Sequence, residues 1–180
     1  MTNLLILDDE PNVLSALRRM FMNPAGIPAI PKPNIVTFTS PHDALDHIRQ
    51  NTVDVVISDF RMPEMDGATF LTMVRKLDPD AARIMLSAHT DLDGIVRAIN
   101  DAGIFRFVPK PWSDTDLRAS IVQVLEFRHL AIENRRLANE VRQQSGIISR
   151  QQLELERLEA ETPGITSVRW SEDGGVLLEE

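Results

Sequence analysis

The sequence predicts an α/β chain: a parallel sheet with helices on both faces, followed by one long helix and a short tail. Three observations carry this. Short apolar runs rich in β-branched residues alternate with amphipathic helical segments through the first 127 residues, the pattern of successive βα units. Runs such as Val55-Val56-Ile57 are apolar without alternation, as in strands covered on both faces. From Asp114 onward a helical pattern continues with no proline until Pro163.

Taken in order, Leu4 to Leu7 reads as the first strand and ends in Asp8-Asp9-Glu10. Pro11 suits the first position of a helix, where its missing N–H has no partner to lose. Val13, Leu14, Leu17, Met20 and Phe21 recur at helical spacing, so that helix runs to about Met22. Asn23 to Asn34 holds Pro24, Pro28, Pro31 and Pro33 and is expected to be an exposed loop. Ile35 to Phe38 is a strand, and Pro41 to Gln50 a helix with Ala44, Leu45 and Ile48 inward. The next strand delivers Asp59 to its carboxyl end, and Pro63 with Asp66-Gly67 forces a turn before a helix from Ala68 to Leu77. Arg83 to Ser87 is a strand ending in a hydroxyl, then a helix from about Asp91 to Ala102 stops at Gly103. The last strand is Phe105 to Val108, followed by Pro109-Lys110-Pro111. Prolines on both sides fix the backbone around one cation, and Lys110-Pro111 is a candidate cis bond.

In such a sheet the strand ends collect Asp8, Asp9, Asp59, Ser87 and Lys110 on one edge, where open α/β sheets place their chemistry. Each has an ordinary alternative, a capping or turn aspartate in the case of Asp59, but their convergence is a stronger signal than any one. Carboxylates gathered in one cleft repel, and a divalent cation relieves that. All-oxygen ligands suit Mg²⁺. A carboxylate beside a metal, a lysine and a hydroxyl can act as nucleophile toward a phosphoryl group, with charge on the transferring oxygens neutralised.

Composition limits the alternatives. A chain of 180 residues, 43% hydrophobic, can build one ordinary domain plus an appendage. A net charge of -8 argues against general nucleic-acid binding, and the absence of cysteine excludes disulfides, thiolate chemistry and Cys-ligated metals. No apolar run has the length of a signal peptide or membrane span, so a cytoplasmic protein is expected.

Asp8-Asp9-Glu10, Asp59-Phe60-Arg61-Met62-Pro63-Glu64-Met65-Asp66-Gly67, Ser87-Ala88 and Lys110-Pro111 together resemble the receiver domain of two-component response regulators, over about Asn3 to Phe127. The resemblance implies a flavodoxin-like doubly wound sheet of five parallel strands in the order 2-1-3-4-5. It also implies that Asp59 is the phosphoacceptor. Asp9, Asp59 and the Arg61 backbone carbonyl would ligate Mg²⁺, with Asp8 acting through a water. Ser87 would be the switch hydroxyl, Lys110 the partner of the phosphoryl group, and Phe107 the aromatic switch residue. Phe107 has no hydroxyl, so its switching would be by ring burial. Arg61 and His89 flank the site at positions that tune acyl-phosphate lifetime in relatives. A sensor histidine kinase or phosphotransfer protein is the implied donor.

The helix that begins after the N-cap Ser113 packs Leu117, Ile121 and Val124 and then runs on. Leu130, Asn134, Leu137, Val141, Gln144, Ile148, Gln151, Leu155 and Leu158 alternate at steps of four and three, a heptad seam with Gly146 as its weak point. Such a helix has little core of its own and implies a partner helix, commonly a parallel dimer where polar seam residues set register. A solvated signalling helix leading to a further domain is the alternative. Residues 163–180, ending the helix at Pro163-Gly164, read as a β-hairpin with Trp170 as contact or core. The expected organisation is a receiver over 1–127, a coiled-coil segment over 128–162 and a tail over 163–180. The expected function is a phosphorylation-activated regulator, not otherwise an enzyme, with a coiled-coil homodimer as output and no direct nucleic-acid contact. Two alternatives stand beside it: the N-terminal part of a larger cyclic-dinucleotide enzyme or transcription activator, or an adaptor whose tail docks a partner. A metal-dependent hydrolase fits less well, because Arg61 occupies the position where a second acid would be sought.

Overall fold

The computed structural model describes residues 2–23, 30, 33–88 and 98–161, the side chains of 98, 99, 148 and 149 excepted. The chain forms two compact units, Met1–Ile132 and Glu133–Glu180, and the sheet belongs wholly to the first. Strands β1 (Thr2–Leu7), β2 (Pro33–Phe38), β3 (Val55–Asp59), β4 (Ala82–Ala88) and β5 (Arg106–Lys110) are all parallel, in the order β2-β1-β3-β4-β5. Helices α1 (Pro11–Met22), α2 (Pro41–Gln50) and α3 (Gly67–Leu77) alternate with them, and α4 (Asp114–Glu161) follows β5. This is the flavodoxin-like order the resemblance implied.

Two core layers explain why the strands read as continuous apolar runs. Leu4, Ile6, Ile57 and Ile84 face one layer with Leu17, Phe21, Leu117, Ile121 and Val124, whereas Leu5, Leu7, Val56 and Met85 face the other with Leu45, Phe70 and Leu71. Both faces of β1 and β3 are therefore buried, as a central parallel strand requires.

Strand ends differ from expectation where proline lies on an edge strand. β2 starts two residues earlier than the apolar pattern suggests, at Pro33, and β5 runs past Val108 through Pro109 to Lys110. Both are edge strands, where proline's missing N–H removes no ladder bond from a central pairing. β1 begins at Thr2, β4 takes in Ala82 and Ala88, and α3 starts at Gly67. Ser40 caps α2 through Asp43 N–H, Asp66 caps α3 through Thr69 N–H, and Ser113 caps α4 through Asp116 N–H. The Lys110-Pro111 bond is cis.

The segment from about Asp91 to Ala102 is described only at its end, where Ala98–Ala102 forms a π-turn and Gly103 takes φ 56°. That left-handed value fits the helix-stopping role expected of Gly103. Most of the proline-rich loop, His89, the start of that helix, and the expected hairpin with Trp170 lie outside the described residues.

Candidate functional site

The sheet register brings the expected chemistry to one edge. Asp59 pairs with Leu86, Ser87 with Pro109 and Ala88 with Lys110, so the ends of β3, β4 and β5 stand side by side, and Asp8 follows directly on β1. Lys110 Nζ donates to Asp8 Oδ2 at 2.7 Å and to Asp59 Oδ1 at 2.6 Å. The remaining oxygens are also occupied: Glu10 N–H donates to Asp8 Oδ1 at 3.0 Å, and Arg61 N–H to Asp59 Oδ2 at 2.9 Å. One ammonium is thus shared by two carboxylates.

Burial makes that sharing consequential. Asp8 is fully buried, and the loss of water raises its pKa despite Lys110 and the Glu10 N–H, which act the other way. Burial acts to lower Lys110, but its hydrogen bonds to Asp59 and Asp8 and their charges outweigh that, so its pKa rises and it stays cationic. Asp9 is exposed and, among the described residues, has no hydrogen-bond or ion-pair partner. No three His, Cys, Asp or Glu side chains converge as a ready metal cluster among the described residues. What the edge offers instead is two carboxylates, Asp8 and Asp59, against one ammonium, with exposed Asp9 next in the chain, an excess of negative charge set in hard oxygen donors.

The loop after Asp59 fixes where the carboxylate points. Phe60 N–H donates to Leu86 O at 2.9 Å and Gly67 N–H to Phe60 O at 2.8 Å, closing Arg61 to Asp66 into a tight loop. Gly67 is required by a close approach: a Cβ there would overlap the Asp59 carbonyl oxygen and come within 3.0 Å of Phe60 Cα. The left-handed residue in the loop is Glu64, at φ 64°. The turn assigned in the sequence to Asp66-Gly67 therefore divides its labour: Glu64 reverses the chain, Asp66 caps α3, and Gly67 lets α3 lie against the end of β3.

Ser87 is buried at the edge, its hydroxyl donating to Ala88 O at 3.1 Å. Phe107 is half-buried against the second core layer. The Arg61 side chain is exposed. Along the later part of α4 the seam residues Leu130, Asn134, Leu137, Val141, Gln144, Gln151, Leu155 and Leu158 are all exposed, while Ile148 lies outside the described side chains. Val141 is 61% and Leu155 52% exposed, on one unbroken helix.

Sequence reasoning missed an ion pair at the opposite edge of the sheet. Arg128 Nη1 lies 2.9 Å from Asp54 Oδ1, and Arg128 Nε donates to Asp80 O at 2.8 Å. Asp54 also accepts Asn3 N–H on its other oxygen at 2.8 Å. A signal was present: Arg128 continues the buried stripe Leu117, Ile121, Val124 at helical spacing, and a charge on a buried stripe demands a partner. Beside it Phe127 packs against Phe105 in a tilted pair, ring centroids 4.8 Å apart. Arg118 was also missed; nearly inaccessible, it donates to Met20 O and Asn23 O and so closes the end of α1.

Comparison with known proteins agrees with this geometry. Residues 4–122 match the response regulator receiver domain family. The hydrogenase transcriptional regulatory protein HoxA of Cupriavidus necator is 31% identical over 144 residues, 80% of this chain and 28% of HoxA. The DNA-binding transcriptional regulator NtrC of Klebsiella pneumoniae is 35% identical over 117 residues, 65% of this chain and 23% of NtrC. The chain therefore spans about a quarter of the length of these relatives. Among solved structures, the signal receiver domain of an HD domain-containing protein from Pseudomonas fluorescens is 31% identical with TM-score 0.64, covering 71% of this chain and 97% of that one. The beryllofluoride-activated NtrC4 receiver domain dimer is 25% identical with TM-score 0.63, covering 71% of this chain and 99% of that one.

Proposed function

Because this chain belongs to the response regulator receiver domain family, we propose that it is a two-component response regulator in which Asp59 accepts a phosphoryl group from a sensor histidine kinase or phosphotransfer protein. The observation that carries the reading is the single ammonium of Lys110 shared between Asp8 and Asp59 at the carboxyl edge. An Asp59 oxygen attacks phosphorus and forms the P–O bond of an acyl phosphate. The P–N bond to the donor imidazole breaks, its electron pair stays on nitrogen, and that nitrogen takes a proton from solvent. Lys110 already touches the reacting carboxylate, so a small displacement carries it onto a phosphoryl oxygen while Asp8 keeps hold of it. The Ser87 hydroxyl, now turned to its own strand, reaches the new group by side-chain rotation. Phe107, half-buried, would turn further inward as that hydroxyl moves to the phosphoryl group.

The donor set fits Mg²⁺: Asp9, Asp59 and the Arg61 carbonyl would hold it, with Asp8 reached through a water, and the ion would supply further positive charge toward the phosphoryl oxygens. Autodephosphorylation at the same site is the only other chemistry we assign.

Output, in this reading, passes through α4 as a coiled-coil homodimer. Eight of the nine seam positions, all those with described side chains, are exposed on a continuous helix, which supports it. A second reading, that the chain is the N-terminal regulatory part of a longer transcription activator or cyclic-dinucleotide enzyme, is favoured by its spanning about a quarter of its relatives. An adaptor whose tail docks a target protein is the third. No described helix is long and apolar enough to cross a membrane, and we place the protein in the cytoplasm with its donor kinase.

The test is incorporation of acid-stable, base-labile phosphate from a small phosphodonor with Mg²⁺, compared between wild type and Asp59→Asn. The reading expects stoichiometric labelling of wild type and none of the variant. Equal labelling of both would overturn it. Light scattering with and without beryllofluoride then asks whether mass changes with the mimic, and a monomer in every sample would remove the dimer.

A further inference from the structure

The exposed seam of α4 leaves open which way a partner helix runs, and the charges beside it decide. With Leu130, Leu137 and Leu158 at d and Asn134, Val141 and Leu155 at a, the flanking g column carries Glu126, Glu133, Glu140, Glu154 and Glu161, broken only by Ile147. The e column carries Ala131, Ala138, Ser145, Gln152 and Glu159, and no base anywhere. The arginines that answer these acids lie on their own helix: Arg136 grips Glu133 with two bonds of 2.7 and 3.2 Å, and Arg157 bonds Glu161 at 3.0 Å. None is left in a column that faces across the seam.

We infer that the occupant of this face is a second copy of the chain running parallel and in register, an inference that rests on the dimer reading above. In that arrangement g faces the following e of the partner, so Glu126, Glu133 and Glu140 meet Ala131, Ala138 and Ser145. One like-charge contact remains, Glu154 against Glu159, formed twice by symmetry. Each polar layer meets its own kind: Asn134 bonds Asn134 across the axis, and Gln144 and Gln151 likewise. Val at a with Leu at d belongs to two-stranded parallel coils.

The best-matched antiparallel register is poorer on both counts. It sets Asn134 against Gln151 but leaves Gln144 on Val141, so one amide is buried without a polar partner. It also turns g toward g, placing Glu133 opposite Glu154 and Glu126 opposite Glu161, twice over by symmetry. The acidic column thus selects orientation by repelling the reversed helix. The consequence is an output in which two receivers enter the coil from the same end.

The absence of cysteine makes this directly readable in the full-length chain. A disulfide needs Cβ atoms about 3.5–4.5 Å apart, so it reports facing positions. We expect Leu137→Cys and Leu155→Cys each to form a disulfide-linked dimer with itself under mild oxidation, and Arg142→Cys, on the outer face, to form none. A mixture of Leu130→Cys with Leu155→Cys is expected to yield no mixed dimer. Mixed dimers without self-linked ones would establish the antiparallel helix and overturn the inference. No linkage from a protein that light scattering shows to be dimeric would also overturn it, while leaving the dimer itself standing. A monomer by mass would remove the underlying reading instead, and with it this one.

Discussion

Strand β3 ends in one aspartate and is preceded by another, and the two are held in opposite ways. Asp54, at the amino edge, is balanced: Arg128 takes one oxygen and Asn3 N–H the other, and its backbone bonds both neighbouring strands through Asn3 O and Ala82 N–H. Asp59, at the carboxyl edge, shares its one cation with buried Asp8, and exposed Asp9 adds a third carboxylate. The same residue type at the two edges therefore does two jobs. Where acid and base match in number, the pair is a fastening for α4. Where acid is in excess, the edge keeps unmatched negative charge, which is what the proposed cation and phosphoryl chemistry requires.

Removing the base from each edge breaks this comparison most sharply. Lys110→Met leaves two buried carboxylates with no counter-charge, and on the order of 3–5 kcal/mol of stability should be lost in urea titration at neutral pH. The loss should depend on pH, with the sign set by the two shifts. The folded pKa of Lys110 is raised, so its contribution is complete below its ordinary 10.5 and disappears as pH climbs above that. Asp8 is raised from 3.8, so the folded protein binds that proton more tightly and stability falls as pH rises through the window above 3.8. Asp8→Asn should flatten that fall. Flat stability differences across pH would mean the edge carries no excess charge.

A smaller effect separates position from charge. Gly67→Ala adds no charge but drives a Cβ into the Asp59 backbone, at about 2–3 kcal/mol for overpacking against atoms that cannot rotate away. Phosphate incorporation should fall with it, because the carbonyl displaced belongs to Asp59, the proposed phosphoacceptor. Full labelling in a destabilised Gly67→Ala protein would show that Asp59 tolerates its strand end being moved.

Smaller again is the amino edge. The side chains of Arg128 and Asp54 are 24% and 22% exposed, and water screens them, so Arg128→Met should cost about 1–2 kcal/mol. Labelling of Asp59 should be unchanged. A loss of labelling as large as that in Lys110→Met would show the two edges to be coupled along β3 and would refute the division drawn above.

The carboxyl edge was legible in the sequence because its signals are local. An apolar run ending in Asp59, prolines on both sides of Lys110 and a hydroxyl at the end of β4 can each be read within a few residues. Asp54 and Arg128 could not be paired that way, since their meeting depends on which strands become neighbours and on the phase at which α4 crosses them. The strand limits at Pro33 and Pro109 were misplaced for a related reason: proline forbids a central position but not an edge, and edges are defined only once strand order is known. Gly67 was read as half of a turn, when its smallness answers a contact with a residue eight positions earlier.

The smallest change tests where the strain in the site loop resides. Glu64 holds φ 64°, a value that costs a side-chain-bearing residue roughly 1 kcal/mol and costs glycine nothing. Glycine also widens the unfolded ensemble, which takes back part of the gain. Glu64→Gly should therefore raise stability by no more than about 0.5 kcal/mol. Its exposed carboxylate is absent from the Lys110 cluster, so removing it leaves the charge excess intact and labelling of Asp59 should persist. A faster loss of the acyl phosphate in this variant would sharpen the comparison further. It would mean that the carboxyl edge depends on a rigid loop as well as on unmatched charge, whereas the amino edge is held by pairing alone.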